Sequence, residues 1–248
     1  MTKLIAIDDG HGMETAGKRT PKFSDGSIMH ENEFNSRVAQ LLAVHLIRCG
    51  YDVIMVAPSD KDIPLKVRTD TANKAKADLY ISIHTNAMTG YWGAARGIET
   101  FHYTKASENS KRAARIIHKH LLTGARLADR GVKAADFHVL RETIMPAVLV
   151  ECGFMDNIEE AQLLITEEYR VECALELAKG ICEYLGDPFL VEKSASRFND
   201  IDKHWAKEYI EKAVSAGILS GRSDGTFDPD QSVTRAELAV VVAKIIEK

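Results

Sequence analysis

No stretch of the 248 residues approaches 18 consecutive apolar side chains, which excludes a membrane-spanning helix. The first twenty residues also lack the unbroken apolar core of a secretion signal, because Asp8, Asp9 and Glu14 interrupt it. The expectation is synthesis in the cytoplasm without a signal peptide. An excess of basic side chains is missing too: 32 Lys and Arg stand against 36 Asp and Glu, for a formal net charge of −4. The electrostatic footprint of a nucleic-acid binder is therefore absent. Cys49, Cys152, Cys173 and Cys182 form no Cys-x-x-Cys pair, and the nine-residue spacing of the last two puts them on opposite faces of a helical stretch. All four read as reduced, buried thiols. What is present, 45% hydrophobic and 27% charged residues, describes a globular chain with room for one large domain or two ordinary ones.

Up to about residue 186, short β-branched runs alternate with longer stretches of helical period. That alternation predicts an α/β fold with a mostly parallel twisted sheet flanked by helices. The expected strands are Leu4 to Ile7, Val53 to Val56, Leu79 to Ile83, Gly97 to Tyr103 and Ala147 to Val150. Glu31 to Cys49 reads as an amphipathic helix with Phe34, Val38, Leu41, Leu42 and His45 on one face, and further helices are expected after Pro64, Lys105 and Glu167. Gly186-Asp187-Pro188 stops the last of these, and the following residues show neither period. The boundaries follow: a domain over 1–186, a linker over 187–195 and a small helical domain over 196–248. The tail from Ser196 has eight basic and nine acidic residues, so neither half hides a basic patch, and its pattern occurs once.

Several motifs fail on inspection. Gly12 to Lys18 satisfies most of a phosphate-binding loop, but Arg19 stands where Ser or Thr is required. Thr20-Pro21 and Ser24-Asp25-Gly26 then continue as turn residues where such a loop must open a helix. His30-Glu31-Asn32-Glu33-Phe34 begins like a zinc-protease helix and puts Phe34 in place of the second histidine. No Gly-x-Ser-x-Gly elbow occurs, and no cysteine lies in a recognisable nucleophile signature.

Four ionisable residues remain at positions that an open α/β sheet exposes: His11 after the first strand, His84 at the end of the third, Glu151 at the end of the last, and Glu31 opening a helix. Glu31 shares the inward face of its helix with Phe34 and Val38. Two imidazoles and a carboxylate suit zinc with one position left for water. Taken singly, His11 reads as a turn residue between glycines, Glu31 as a helix-dipole partner and His84 as a hydrogen-bonded structural histidine. Glu151 resists such a reading, because Val148-Leu149-Val150 delivers it from a buried strand and an unpaired buried carboxylate is costly. The conjunction outweighs the separate readings. His118 and His120 diverge on their helix, His45 belongs to a packed face, and His138 has no evident partner.

These residues fall in four ordered motifs. Asp8-Asp9-Gly10-His11-Gly12 is similar to Asp-Pro-Gly-His-Gly, Glu31 with Asn35 to Glu-x-x-x-Asn, Ser82 to Ala87 to Ser-x-His-x-Asn-Ala, and Val150 to Asn157 to Glu-x-Gly-Phe-x-Ser-Asn. Over residues 3 to 185 the chain thus resembles the zinc-dependent N-acetylmuramoyl-L-alanine amidases of the Amidase_3 type, found in bacterial autolysins and phage endolysins. Asp9 and Asp156 depart from the pattern, in place of Pro and Ser, and are expected to reshape loops without removing a ligand. The resemblance implies one Zn2+ held by His11, Glu31 and His84, with Glu151 as the catalytic carboxylate. It also implies hydrolysis of the amide joining N-acetylmuramic acid to L-alanine in peptidoglycan. Arg68, Asn73, Glu99 and Arg141 lie near family-like segments and could orient substrate or ligands, with surface ion pairing the plainer reading of each.

In the tail, Phe198-Asn199-Asp200-Ile201, His204-Trp205-Ala206, Ala216 to Leu219, Asp224-Gly225-Thr226-Phe227 and Thr234-Arg235-Ala236-Glu237 resemble an S-layer homology (SLH) motif. Thr234 precedes Glu237 by three, a capping box before the last apolar helix. The resemblance implies attachment to secondary cell-wall polysaccharide, with Trp205 offering a flat face to a sugar and Arg235 a fork to a carboxylate. The family usually sets three such units side by side, so a homotrimer would restore that arrangement. A helical hairpin lying on the first domain is the plainer alternative. For the whole chain, the rivals to an amidase are an inactive wall-binding or assembly protein and a zinc carboxypeptidase or deacetylase. Without a signal, the chain would reach the wall through a phage holin or on lysis of the mother cell.

Overall fold

The computed structural model describes residues 2–191, 198–222 and 224–246, so residues 192–197 of the expected linker and tail lie outside the described residues. The chain divides into two compact units, Met1–Leu190 and Val191–Lys248.

In the first unit, strands β1 (Leu4–Asp8), β2 (Asp52–Met55), β3 (Leu79–Asn86), β4 (Ile98–Tyr103), β5 (Asp129–Ala135) and β6 (Ala147–Phe154) form one sheet in the order β2-β1-β3-β6-β4-β5. All pairings are parallel except β4 with β6. Its helices are α1 (Glu31–Arg48), α2 (Leu65–Ala75), α3 (Glu108–Ala125), α4 (His138–Arg141), α5 (Ile158–Leu164) and α6 (Glu167–Leu185). The central strands are apolar runs because both of their faces are covered. Ile5, Ile7, Ile81, Ile83, Val148 and Val150 pack under α1, α3 and α6, whereas Ala6, Tyr80, Leu149 and Val139 form a second cluster on the other face.

The expected α/β architecture is present, with the two short helices α4 and α5 added and the following further differences. β5 is a sixth strand that the sequence reading passed over. At the sheet edge its side chains are only half-buried, so Asp-Arg-Gly-Val-Lys-Ala-Ala shows no apolar run. His84 and Glu151 lie within β3 and β6, which run on to Asn86 and Phe154. Cys49 is half-buried, unlike Cys152, Cys173 and Cys182; all four are free thiols.

The second unit contains α7 (Lys207–Ser215) and α8 (Arg235–Ile246). Phe198, Ile201, Ile210 and Val214 make its small core, against which Ala206, Leu219 and Phe227 pack. The expected capping box is formed: Thr234 N–H donates to Glu237 at 2.8 Å, and Glu237 N–H to Thr234 Oγ1 at 3.2 Å. Among the described residues no helix is long and apolar enough to cross a membrane.

Candidate metal centre and cleft

Parallel strands β1, β3 and β6 are neighbours, so the loop leaving β1 and the last residues of β3 and β6 meet at one rim of the sheet. His11 sits in the β1 loop with φ of 63°, a left-handed conformation unfavourable for a side chain with a Cβ and held here by its surroundings. Gly10 beside it must lack a side chain, since a Cβ there would lie 2.3 Å from the His84 ring. Glu31 is the first residue of α1, fully buried beneath the rim. The ligand atoms of His11, Glu31 and His84 lie within 4.8 Å of one another. Glu31 Oε1 is 3.0 Å from His84 Nδ1, and Glu31 Oε2 is 3.5 Å from His11 Nε2.

A second layer fixes these groups. Ser82 Oγ, on the same strand face as His84, lies 3.0 Å from its Nε2 and donates to Asp8 Oδ2 at 2.6 Å. That leaves Nδ1 as the His84 nitrogen facing the cluster. Asn32 and Asn35 donate to the Gly10 carbonyl, clamping the β1 loop onto α1. Arg68 is buried and donates to Asp8 Oδ1 at 2.6 Å, to the His11 carbonyl at 2.9 Å and to Asp62 at 3.0 Å. The surface-pair reading of Arg68 is therefore replaced: it anchors the β1 loop that carries His11.

Electrostatics in the cluster suit a cation. Burial, with the positive charges of His84 and Lys18, pushes the His11 imidazole down to about 4, so it is neutral and able to ligate. Burial works against ionised Glu31, but the His84 hydrogen bond and the nearby positive groups outweigh it and hold the carboxyl below its ordinary value. Oε1 of this carboxylate is served by His84, Thr85 N–H and Asn35, whereas Oε2 is buried with no hydrogen-bond partner. Lys18 Nζ at 3.7 Å and His11 Nε2 at 3.5 Å are the positive and imidazole groups nearest this Oε2, and neither makes a hydrogen bond to it, so the buried oxygen keeps a lone pair that a cation would satisfy. The donor set of two nitrogens and one carboxylate oxygen fits zinc.

Glu151 pairs in register with His84 across β3 and β6. Burial raises its carboxyl to about 8, His84 opposing and Glu31 reinforcing the shift, and its Oε2 is also buried without a partner. His11, His84, Glu151, Lys18 and Arg68 line one cleft of about 580 Å³, walled on its apolar side by Ile63, Pro64, Leu65, Phe137 and Val139.

A family model for N-acetylmuramoyl-L-alanine amidase matches residues 5–183, and one for the S-layer homology domain matches 197–239. The chain belongs to the N-acetylmuramoyl-L-alanine amidase family. Among similar proteins, the endolysin of Bacillus phage SPP1 is 34% identical over 192 residues, covering 75% of this chain and 67% of the endolysin. The sporulation-specific N-acetylmuramoyl-L-alanine amidase of Bacillus subtilis (strain 168) is 32% identical over 194 residues, covering 77% and 70%. An amidase structure from Clostridium difficile 630 superposes with a TM-score of 0.69 at 34% identity, covering 75% of this chain and 97% of that one.

In the amidase unit, the remaining sequence-picked residues fall outside the cluster. Asn73 ties α2 to the Glu142 carbonyl and Ile144 N–H. Glu99 lies opposite Glu151 in the antiparallel register, buried and paired with Arg130, Lys133 and Asn86, so a surface pair is again the wrong description. Lys133 and Arg130 overcome burial and hold the Glu99 carboxyl below its ordinary value. Arg141 does form surface pairs, with Asp136 and Glu142. His118 meets Thr100 and Asp129 whereas His120 meets Glu176 and Glu183, the divergence expected. Sequence reasoning missed the Asp8–Ser82–His84 relay, although the two-residue spacing of Ser82 and His84 in a strand was the available signal. His138, set aside in the sequence for want of a partner, lines the cleft with its buried Nε2 unpartnered. In the SLH unit Trp205 is 83% exposed, and Arg235 opens α8 on the exposed surface.

Proposed function

We propose that this N-acetylmuramoyl-L-alanine amidase uses one Zn2+ held by His11, Glu31 and His84, with Glu151 as general base and then acid. The observation that carries the reading is the convergence of the His11, Glu31 and His84 ligand atoms within 4.8 Å around a buried carboxylate whose Oε2 has no hydrogen-bond partner, with Glu151 in register beside His84. Bound at these ligands, Zn2+ would polarise the scissile carbonyl and bring the pKa of water down to about 7. Glu151 would accept the proton of the attacking water and deliver it to the departing L-alanine nitrogen, one carboxyl group serving both steps. Positive charge gathered at the ligands offsets the burial that raises Glu151, returning it toward the working pH. Arg68 positions: through Asp8 and the His11 carbonyl it keeps the β1 loop against the cleft.

In this reading residues 1–186 form the catalytic domain, 187–195 connect it, and 196–248 hold the chain to secondary cell-wall polysaccharide through Trp205 and Arg235. Self-association of the single SLH unit into a trimer follows the same reading, and a monomeric mass in light scattering would count against it. The chain meets its substrate at the wall once released from the cell. The chemistry is tested on purified peptidoglycan. The reading expects new L-alanine amino termini, no new reducing ends and no free acetate. Acetate without amino termini would instead mark a deacetylase, and no product an inert binder.

A further inference from the structure

Two loops at the catalytic rim carry aromatic side chains that the metal centre does not use. The β1–α1 loop, which holds His11 and Lys18, continues to Phe23; the β3–β4 loop, which follows His84 and Asn86, carries Met88, Tyr91 and Trp92. Phe23 and Trp92 meet with ring centroids 5.5 Å apart, and Trp92 Nε1 donates to the Lys22 carbonyl at 3.2 Å, joining the loops. Tyr91 is 78% exposed, Met88 64% and Trp92 38%. Such a group of large apolar side chains, on the loops that leave β1 and β3 after His11 and His84, points to a binding surface.

The loop is held in place. Asp156, where the family pattern has Ser, directs one carboxylate oxygen at three successive amides: Met88 N–H at 2.7 Å, Thr89 N–H at 2.8 Å and Gly90 N–H at 3.4 Å. The Asp156 carbonyl accepts from Gly93 N–H at 2.7 Å. A loop fixed in advance spends less binding free energy on ordering when a ligand arrives.

We infer that Tyr91 and Trp92, braced by Phe23 and anchored through Asp156, form a stacking platform for sugar rings of the peptidoglycan glycan strand beside the cleft. The inference rests on the amidase reading for what lies in that cleft. Its chemistry favours sugar rings: what residues 88–92 present to a ligand is exposed aromatic and thioether surface with no charged side chain of its own. A pyranose offers an apolar C–H face, which an exposed aromatic ring covers while its O–H or N–H edge remains available for hydrogen bonding.

The test is the affinity of the full chain for peptide-free glycan oligosaccharides of alternating N-acetylglucosamine and N-acetylmuramic acid, measured by titration calorimetry. Binding is expected in the wild type, weakened at least about fivefold by Tyr91→Ala and by Trp92→Ala, and largely restored in Trp92→Phe. Asp156→Ala should weaken it comparably while leaving the thermal unfolding of the chain cooperative. The inference is overturned if the wild type fails to bind these oligosaccharides, if Tyr91→Ala binds unchanged, or if Trp205→Ala alone abolishes binding. Because binding is read without turnover, the amidase reading stands or falls separately on the amino termini released from intact peptidoglycan.

Discussion

Helix α1 directs Glu31, Phe34, Val38 and Leu42 into a core and leaves its other face to water; α8, equally regular and more apolar, buries no residue. Leu238, Val240, Val242 and Ile245 are each about half exposed. The first unit therefore completes its own packing, and that completeness lets it bury Glu31 and Glu151 in fixed positions at large electrostatic cost. Among its described residues the second unit has a core of four buried side chains, and it presents apolar and aromatic surface. In the proposed function, the chemistry that depends on sub-ångström placement is assigned to the first unit and attachment to the second, which tolerates a looser packing.

The largest test of that contrast is Glu151→Gln. Release of amino termini from peptidoglycan should fall by about 10²–10⁴-fold, the range for losing a general acid–base group, with the fold retained. Unchanged turnover would remove Glu151 from the reaction. Next come substitutions that strip the first unit of its packing. Arg68→Ala leaves the buried Asp8 without its positive partner, with Ser82 Oγ remaining, and should cost about 3–5 kcal/mol; Leu42→Ala should cost about 2–5 kcal/mol through the cavity it leaves. Either should lower the Tm of this unit by on the order of 10 °C in a calorimetric scan.

A smaller effect is expected with pH in the metal-free chain. Glu151 titrates near 4.5 unfolded and near 8 folded, so the folded state binds the extra proton and stability falls as pH rises between those values. His11, lowered from 6.5 to about 4, acts in the opposite sense but only below about 6.5. From pH 6.5 to 8 the Glu151 loss stands unopposed, and His84, raised by Glu31 against the effect of its own burial, adds in the same direction. Stability should fall by on the order of 1–2 kcal/mol over that window. Glu151→Gln should remove most of this slope in thermal melts, and a slope unchanged by the substitution would break the account of the buried carboxyl. Smallest of all, Val240→Lys on α8 should change stability by no more than about 0.5 kcal/mol, because it uncovers nothing. A cost near that of Leu42→Ala would show that α8 is packed in solution.

The fold was legible where both faces of a strand are covered, because β1, β3 and β6 then read as apolar runs between turn residues. It was not legible at β5, whose half-buried edge position leaves no pattern, or at α4 and α5, which are too short to show a helical period. The candidate site residues were visible because each follows or interrupts an apolar segment: His84 and Glu151 appear at the ends of such runs, and Glu31 at the head of an amphipathic helix. The groups holding them were harder to see. Arg68 and Glu99 look like surface charges because their partners, Asp8 and the Arg130–Lys133 pair, lie about 30 to 60 residues away in sequence. Asp156 looked like a loop variation because its partners are backbone amides, which leave no trace in residue type.

The central claim is that three side chains from separate segments hold one divalent ion. It is tested most directly by metal content after dialysis against trace zinc, comparing the wild type with His11→Ala, Glu31→Gln, His84→Ala and Glu151→Gln. The account predicts one zinc per chain in the wild type and in Glu151→Gln, and loss of bound zinc in the other three. Full zinc occupancy in His84→Ala or Glu31→Gln, or amide hydrolysis by the wild type undiminished after chelation, would contradict it.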